Sequence, residues 1–408
     1  MNPRHLQLFF ALGRIFSPFY ALLMRLRAWL YQRGWLRREK MVVPVISVGN
    51  LTLGGTGKTP LVIYLCRLLQ DLGYRPAVLS RGYGRRRRPG LAGKETTSLV
   101  AGLAEVGPGP FDPARPAPMV VSDYQNILLD SETAGDEPVL LAQSLPGVPV
   151  LVAPRRVLSG RYAVGEMGAD CLVLDDGFQH LALERDLDLA LFSARNLPYR
   201  IAGPRPGWFG TPAPAPTGPR AETSSPARVF PGGPLREPWS ALARADALVI
   251  TGADPANRDE VAAFRRFLAH KFPTLPCFLG EYLPVCLLDA ASRQTLALAE
   301  GRDRPWYGFA GIARPESFRQ TLLGAGYKLT GFQAFADHYP YTAADHRALV
   351  EAARERRAEG LITTEKDLVK LNPLIDDMPL LALRIELVME EAFAVFCRER
   401  LKGLLSRR

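Results

Sequence analysis

The sequence predicts an α/β protein with mainly parallel sheets, on three observations. Short apolar runs alternate with helical patterns through most of the chain, as in a parallel sheet with crossover helices. The runs fall into two series, separated by a Pro/Gly-rich stretch at 198–238 that can sustain neither a helix nor a central strand. The first run, Val45-Ile46-Ser47-Val48, is followed by Gly54-Gly55-Thr56-Gly57-Lys58-Thr59-Pro60, a strand, a glycine-rich loop and a helix start in that order.

Taken along the chain, the elements begin with an N-terminal segment at 6–31. It is rich in Leu, Phe, Tyr and Trp but interrupted by Arg14, Pro18, Arg25 and Arg27. No uninterrupted apolar run reaches the roughly 18–20 residues that span a bilayer, and no small-residue cleavage site follows. The segment reads as one or two amphipathic helices with a basic tail at 33–40, suited to lying in a membrane interface or packing on the protein's own surface. Strands are expected at 45–48, 77–80, 148–153, 171–174 and 187–192, then at 247–251, 306–310 and 361–364. The helix opened by Pro60 is apolar over 61–72 and ends at Gly73. The Gly/Pro-rich patch 85–118 is expected to be a surface insertion, and no internal repeat is found.

Loops of the Gly54–Pro60 kind bind triphosphates. Backbone N–H groups of Gly54, Gly55, Thr56 and Gly57 converge on the phosphates, Lys58 reaches the outer ones, and the Thr59 hydroxyl can ligate Mg²⁺. Pro60 fits the helix start, where its missing N–H costs nothing. One departure stands out: the usual pattern has Gly where this chain has Thr52.

Other strand ends supply the remaining chemistry. The run 171–174 ends in Asp175-Asp176, two carboxylates that are costly there unless a cation is present; a metal role is favoured over an ordinary Asp-Gly turn. Asp136-Glu137 precedes a helical pattern, where Asp136 is either an N-cap or a base at a helix start. Asp337-His338-Tyr339 places a histidine beside an acid, which either tunes a catalytic carboxylate or is structural. Thr363-Thr364-Glu365-Lys366-Asp367 ends another strand, on the side that faces ligands in α/β sheets. Arg81, in Ser80-Arg81-Gly82, is placed to meet phosphate.

Composition narrows the classes. With 408 residues the chain can form two domains of ordinary size, and 47% hydrophobic with 23% charged residues is normal for a globular protein. The net charge of +10 points to an anionic partner. Five cysteines without a CxxC pair and five histidines without ligand spacing argue against a disulfide framework or a zinc site.

Together these stretches resemble the tetraacyldisaccharide 4'-kinase (lipid A 4'-kinase) family. The resemblance rests on VPVISVGNLTLGGTGKTP (43–60), SRGYG (80–84), GDEP (135–138), DDGFQH (175–180), RDLDLALF (185–192), GPLREP (233–238), FAGIARPESF (309–318), DHY (337–339) and TTEKDLVKL (363–371). It implies two α/β/α domains with mainly parallel sheets and the site between them. These are a kinase domain of the P-loop NTPase type at 41–240 and a second α/β domain at 241–408 that closes the cleft, preceded by a membrane-associating segment at 1–40. It implies transfer of the γ-phosphate of ATP, with Mg²⁺, to the 4'-hydroxyl of a lipid disaccharide 1-phosphate, giving lipid IVA. Carried over by motif, Lys58 and Thr59 hold phosphate and Mg²⁺. Asp175 and Asp176 serve the metal with Glu137 nearby, Asp136 is the base, and His338 is its partner. Arg81, Gln179 and His180 are substrate candidates. The stretch 195–232 departs from the family pattern, and no residue is carried over from it. The implied protein is a monomer without nucleic-acid partners, peripheral or N-terminally anchored on the cytoplasmic face of the bacterial inner membrane.

Two other readings are open to the residues. A cytosolic P-loop NTPase switch or motor on an anionic partner such as nucleic acid fits the charge but calls for a basic stripe interleaved with aromatics, which the sequence lacks. A peripheral membrane protein that binds nucleotide only for stability leaves Asp175-Asp176 without a task.

Overall fold

The computed structural model describes residues 12–81, 118–200, 225–337, 339–371 and 378–405. All but the last residue of the insertion expected at 85–118, much of the Pro-rich stretch, the first eleven residues and His338 lie outside them.

In chain order the strands are β1 (Val45–Asn50), β2 (Pro76–Ser80), β3 (Met119–Ser122), β4 (Val150–Val152), β5 (Cys171–Asp175), β6 (Leu187–Ser193), β7 (Tyr199–Arg200) and β8 (Ser225–Pro226). They continue with β9 (Ala247–Thr251), β10 (Cys277–Asp289), β11 (Thr295–Leu296), β12 (Pro305–Ala310), β13 (Lys328–Ala334), β14 (Gly360–Thr364) and β15 (Leu380–Met389). The helices are α1 (Ser17–Gln32), α2 (Lys58–Asp71), α3 (Ser131–Ala134), α4 (Asp136–Ser144), α5 (Arg156–Gly165), α6 (Arg258–Lys271), α7 (Pro315–Gly324), α8 (Ala343–Glu355), α9 (Glu365–Leu368) and α10 (Glu391–Leu405). Each strand expected from the sequence is present, with ends shifted by a residue or two.

The α/β class and the mainly parallel pairing are as expected. The two series are joined edge to edge, however, so that among the described residues they make one large sheet ordered β13-β12-β14-β15-β10-β9-β6-β1-β5-β2-β4-β3, with β11 on β10. β7 and β8 form a separate ribbon. β9, the first strand of the second series, pairs parallel with β6 of the first, and the sheet turns antiparallel further on, between β10 and β15. β10 (13 residues) runs parallel to β9 and antiparallel to β15 (10 residues), with a bulge at Pro284/Cys286. At about 3.3 Å per residue β10 is roughly 40 Å long, enough to serve both series.

β1 lies between β5 and β6, parallel to both, and is buried along its whole length. Strands buried on both faces read as continuous apolar runs, which is why VISV was legible. One face of this half is closed by α2 through Leu61, Leu65 and Leu69, packed on Val48, Val78 and Val173. The other is closed by α5 and by Leu79, Leu151, Leu172 and Leu174. The second series has its own cores, around Trp306, Phe318 and Leu322 on one face and Phe309, Leu349 and Leu361 on the other. Burying a side chain of this size contributes about 1.5–3 kcal/mol.

α1 packs through one row. Ser17 Oγ donates to the Val229 carbonyl (2.7 Å), Tyr20 meets Phe230 edge-on, and both Arg27 Nη atoms donate to the Gln179 carbonyl (3.2 Å). The opposite row, Ile15, Phe19, Leu22, Leu26 and Trp29, is exposed. These residues recur at 3–4-residue spacing and form one continuous stripe. Among the described residues no helix is long and apolar enough to cross a membrane.

Candidate active site

Three backbone features build the glycine-rich loop. Thr52 is buried and forms an antiparallel bridge with Leu235, flanked by Leu53 N–H to the Pro234 carbonyl (2.7 Å) and Arg236 N–H to the Leu51 carbonyl (2.7 Å). The segment 233–238 therefore lies beside the loop's entry as a short strand would, and extended backbone at residue 52 needs no glycine. Gly54 and Gly57 do: their φ values are +101° and +78°, a region that side-chain-bearing residues rarely enter. Lys58, Thr59 and Pro60 form the first turn of α2 with Gly57 as N-cap. This leaves unpaired helical N–H groups facing an anion.

β5 delivers Asp175 and Asp176 beside the loop. Lys58 Nζ is 3.4 Å from Asp176 Oδ1, and Arg236 Nη1 donates to both oxygens of Asp176 at 2.9 and 3.0 Å. Asp176 has φ +57°, rare for a residue other than glycine, and is held there by these two cations. Burial works against its charge, but Lys58 and Arg236 prevail and hold its carboxyl below the ordinary value.

Asp175 is in the opposite condition. It is buried, and one carboxylate oxygen accepts from Ser80 Oγ (3.2 Å) while Oδ1 has no hydrogen-bond partner. Burial, then the Glu137 carboxylate, pushes it up to about 6 against the pull of Lys58. A buried oxygen with no partner beside a second carboxylate is the donor pattern that suits a cation. Among the described residues no group of three or more His, Cys, Asp or Glu is gathered as a metal cage. Mg²⁺ characteristically binds through one or two carboxylates plus nucleotide phosphates.

α4 brings the other acids. Asp136 and Glu137 occupy its first turn, Gly135 is the N-cap, and no side chain caps the helix. Asp136 is thus not an N-cap; of the two roles the sequence left open, that one is removed. α4 packs against α2 and β4, so the helix carrying Asp136 rests on the helix carrying Lys58. From the second series, Lys366 Nζ lies 3.8 Å from Glu137 Oε1 and 3.9 Å from Asp337 Oδ1, bridging the two halves of the chain.

The remaining candidates are placed differently. Gln179 is used within the fold: its Nε2 donates to the Asn50 carbonyl (3.0 Å), and its Oε1 accepts from Arg236 (3.4 Å). His180 lines a cavity of about 450 Å³ with Tyr31, Arg37, Arg155 and Arg161, its Nε2 buried without a hydrogen-bond partner. Burial, then surrounding arginines led by Arg156, pushes it down to about 4, so it is neutral at pH 7. Arg81 is exposed at the end of β2. The role assigned to His338 lies outside the described residues. The structure adds Arg236, Arg156 and Lys366. Arg156 is buried and donates to the Asp175 carbonyl oxygen (3.3 Å). Arg236 and Lys366 stand in GPLREP and TTEKDLVKL, so the signal was present; what the sequence could not show is which carboxylates they meet.

The chain as a whole is similar to known proteins. The chain matches the family model for tetraacyldisaccharide-1-P 4'-kinase over residues 9–111, 112–199 and 220–402. It is 39% identical over 375 residues to the tetraacyldisaccharide 4'-kinase of Desulfotalea psychrophila, covering 92% of each chain. It is 39% identical over 372 residues to that of Syntrophus aciditrophicus, covering 90% of this chain and 85% of the relative. The crystal structure of the "apo" form of LpxK from Aquifex aeolicus, in complex with ATP, superposes with a TM-score of 0.66 at 30% identity, over 96% of both chains.

Proposed function

The chain belongs to the tetraacyldisaccharide-1-P 4'-kinase family, and we propose how its residues perform that family's reaction. The protein is an ATP-dependent kinase that phosphorylates the 4'-hydroxyl of a tetraacyldisaccharide 1-phosphate in lipid A biosynthesis. The observation that carries the residue assignment is the convergence at the end of β5. There Lys58 and Arg236 pair with Asp176, while buried Asp175 keeps an oxygen unpartnered.

In this reading ATP lies with its phosphates on Gly54–Thr59. Lys58 and the loop amides offset charge on the β- and γ-phosphates as it shifts toward the leaving ADP. Asp175 and Asp176, with Thr59 and with Glu137 nearby, would hold Mg²⁺, which when bound would supply further neutralisation of the phosphates. The 4'-hydroxyl is a weak acid, and Asp136 takes its proton as the oxygen attacks the γ-phosphorus. His338 is assigned by its motif as the partner of that carboxylate. Lys366 touches Glu137 from the second series, so joining the two halves sets the charge around the acidic turn.

The acceptor is a lipid, and we assign the exposed stripe of α1 to the membrane interface, with the protein on the cytoplasmic face. Exposed apolar stripes of this size mark interaction surfaces. Replacing Phe19, Leu22 and Leu26 together with Asp is expected to abolish co-sedimentation with anionic liposomes while leaving soluble-substrate ATP binding intact. Those side chains point away from the Val229 and Gln179 contacts, so the fold is retained. Undiminished co-sedimentation would reject the stripe as the anchor.

The acceptor assignment is tested by offering γ-labelled ATP to the enzyme with a tetraacyldisaccharide 1-phosphate, with deacylated sugars, and with water alone. Label is expected in the lipid. ATP hydrolysis of equal rate in all three would instead favour the NTPase switch.

A further inference from the structure

The phosphate-binding loop is held from behind by residues of the second strand series. Thr251 ends β9 and is fully buried; its Oγ1 donates to the Thr56 carbonyl oxygen at 2.8 Å, across 195 residues of sequence. The Tyr282 hydroxyl, on β10, hydrogen-bonds the Thr251 hydroxyl. The Thr251 proton has the Thr56 carbonyl as its near acceptor and the Phe192 carbonyl as a longer one at 3.4 Å, so Tyr282 can meet the Thr251 oxygen only as a donor. The same two hydroxyls stand behind Gly57, where a methyl group would overlap the Tyr282 hydroxyl and lie 2.9 Å from Thr251 Oγ1.

A trans peptide points its carbonyl and its N–H in opposite directions. Fixing the Thr56 carbonyl toward Thr251 therefore aims the Gly57 N–H the other way, out of the back of the loop toward its open side. An unrestrained Thr56–Gly57 peptide is free to flip, because Gly57 adopts both signs of φ without steric cost. A flipped peptide would present a carbonyl oxygen to the phosphates.

We propose that Thr251 and Tyr282 are positioning residues for ATP: together they hold the Thr56–Gly57 peptide so that the Gly57 N–H faces the phosphates. The proposal rests on the reading of Gly54–Thr59 as the nucleotide loop. It also gives the junction between the two strand series a task, since a displacement of β9 and β10 would be felt at the loop.

The test compares Thr251→Val, Thr251→Ser, Tyr282→Phe and Lys58→Ala in the full chain, by calorimetric MgATP binding, steady-state kinetics and thermal unfolding. Thr251→Val keeps the shape but strands the Thr56 carbonyl, and ATP affinity is expected to fall about tenfold. Thr251→Ser restores it, and Tyr282→Phe weakens it about threefold. KM for ATP rises in proportion while KM for the lipid acceptor stays at the parent value; a merely structural role would move both or neither. The effects of Thr251→Val and Tyr282→Phe are expected to be less than additive, because both act through one chain of hydrogen bonds. Unchanged ATP affinity in folded Thr251→Val, with Lys58→Ala defective, overturns the positioning role alone. Parent-like ATP affinity in Lys58→Ala overturns the loop reading and the proposal with it. If Thr251→Val does not fold, Tyr282→Phe decides: parent-like ATP affinity overturns the proposal, and selective loss upholds it.

Discussion

Lys58→Ala is expected to lower kcat/KM for phosphate transfer by at least about 10²–10³, roughly 3–4 kcal/mol of transition-state stabilisation. Lys58 is the cation in the first turn of α2, at the end of the loop, and its Nζ reaches Asp176 at the tip of β5. Charge moves onto the β–γ bridging oxygen as the bond to the γ-phosphorus breaks, and a fixed ammonium there acts most strongly where water is excluded. The fold is expected to survive because Arg236 still contacts both oxygens of Asp176. Thermal unfolding and transfer kinetics measured together check this. A folded Lys58→Ala protein within threefold of parent turnover would remove Lys58 from the chemistry.

Asp136→Asn is expected to lower kcat by about 10²–10⁴, the range of general acid–base catalysis, with little change in ATP affinity. Asp136 and Glu137 are adjacent in one helical turn, so the two must be told apart. Glu137 acts electrostatically on Asp175, which is assigned to the metal, whereas Asp136 is assigned to the acceptor hydroxyl. Glu137→Gln is therefore expected to raise the Mg²⁺ concentration needed for half-maximal rate. Asp136→Asn is expected to stay slow at any Mg²⁺ concentration. Recovery of Asp136→Asn by added Mg²⁺ would exchange the two assignments.

Much of this was legible in the sequence because its signals were local. VISV followed by GGTGKT is a strand, a loop and a helix whose physics lies within twenty residues, and CLVLDD is a buried strand with charges at its end. What escaped the reading depends on distance. β10 alternates buried and exposed positions, contains Pro284, and turns into a hairpin with β11; it therefore lacks the apolar run and following helix that mark a crossover strand. β13 is an edge strand with half-exposed residues. Without β10 and β15, β12 and β14 could not be seen to share one sheet with β9 and the first series. Thr52 departs from the usual loop pattern, and its partner Leu235 lies 183 positions away, where no local signal marks it. Gln179, a substrate candidate by its motif, ties Asn50, Arg236 and Arg27 together within the fold. Its motif marked its importance without saying for what. Arg236 and Thr251 act on loop residues far from them in sequence, and no local pattern announces such partners.

The central claim is that ATP held on Gly54–Thr59 delivers its γ-phosphate to the 4'-hydroxyl under control of Asp136. The most direct measurement gives the parent enzyme γ-labelled ATP with the tetraacyldisaccharide 1-phosphate, and in parallel with its 4'-deoxy analogue. Label is expected to enter the first lipid and not the second, and to be lost from the first when Asp136→Asn replaces the parent. Label in both lipids, or undiminished transfer by Asp136→Asn, would contradict it.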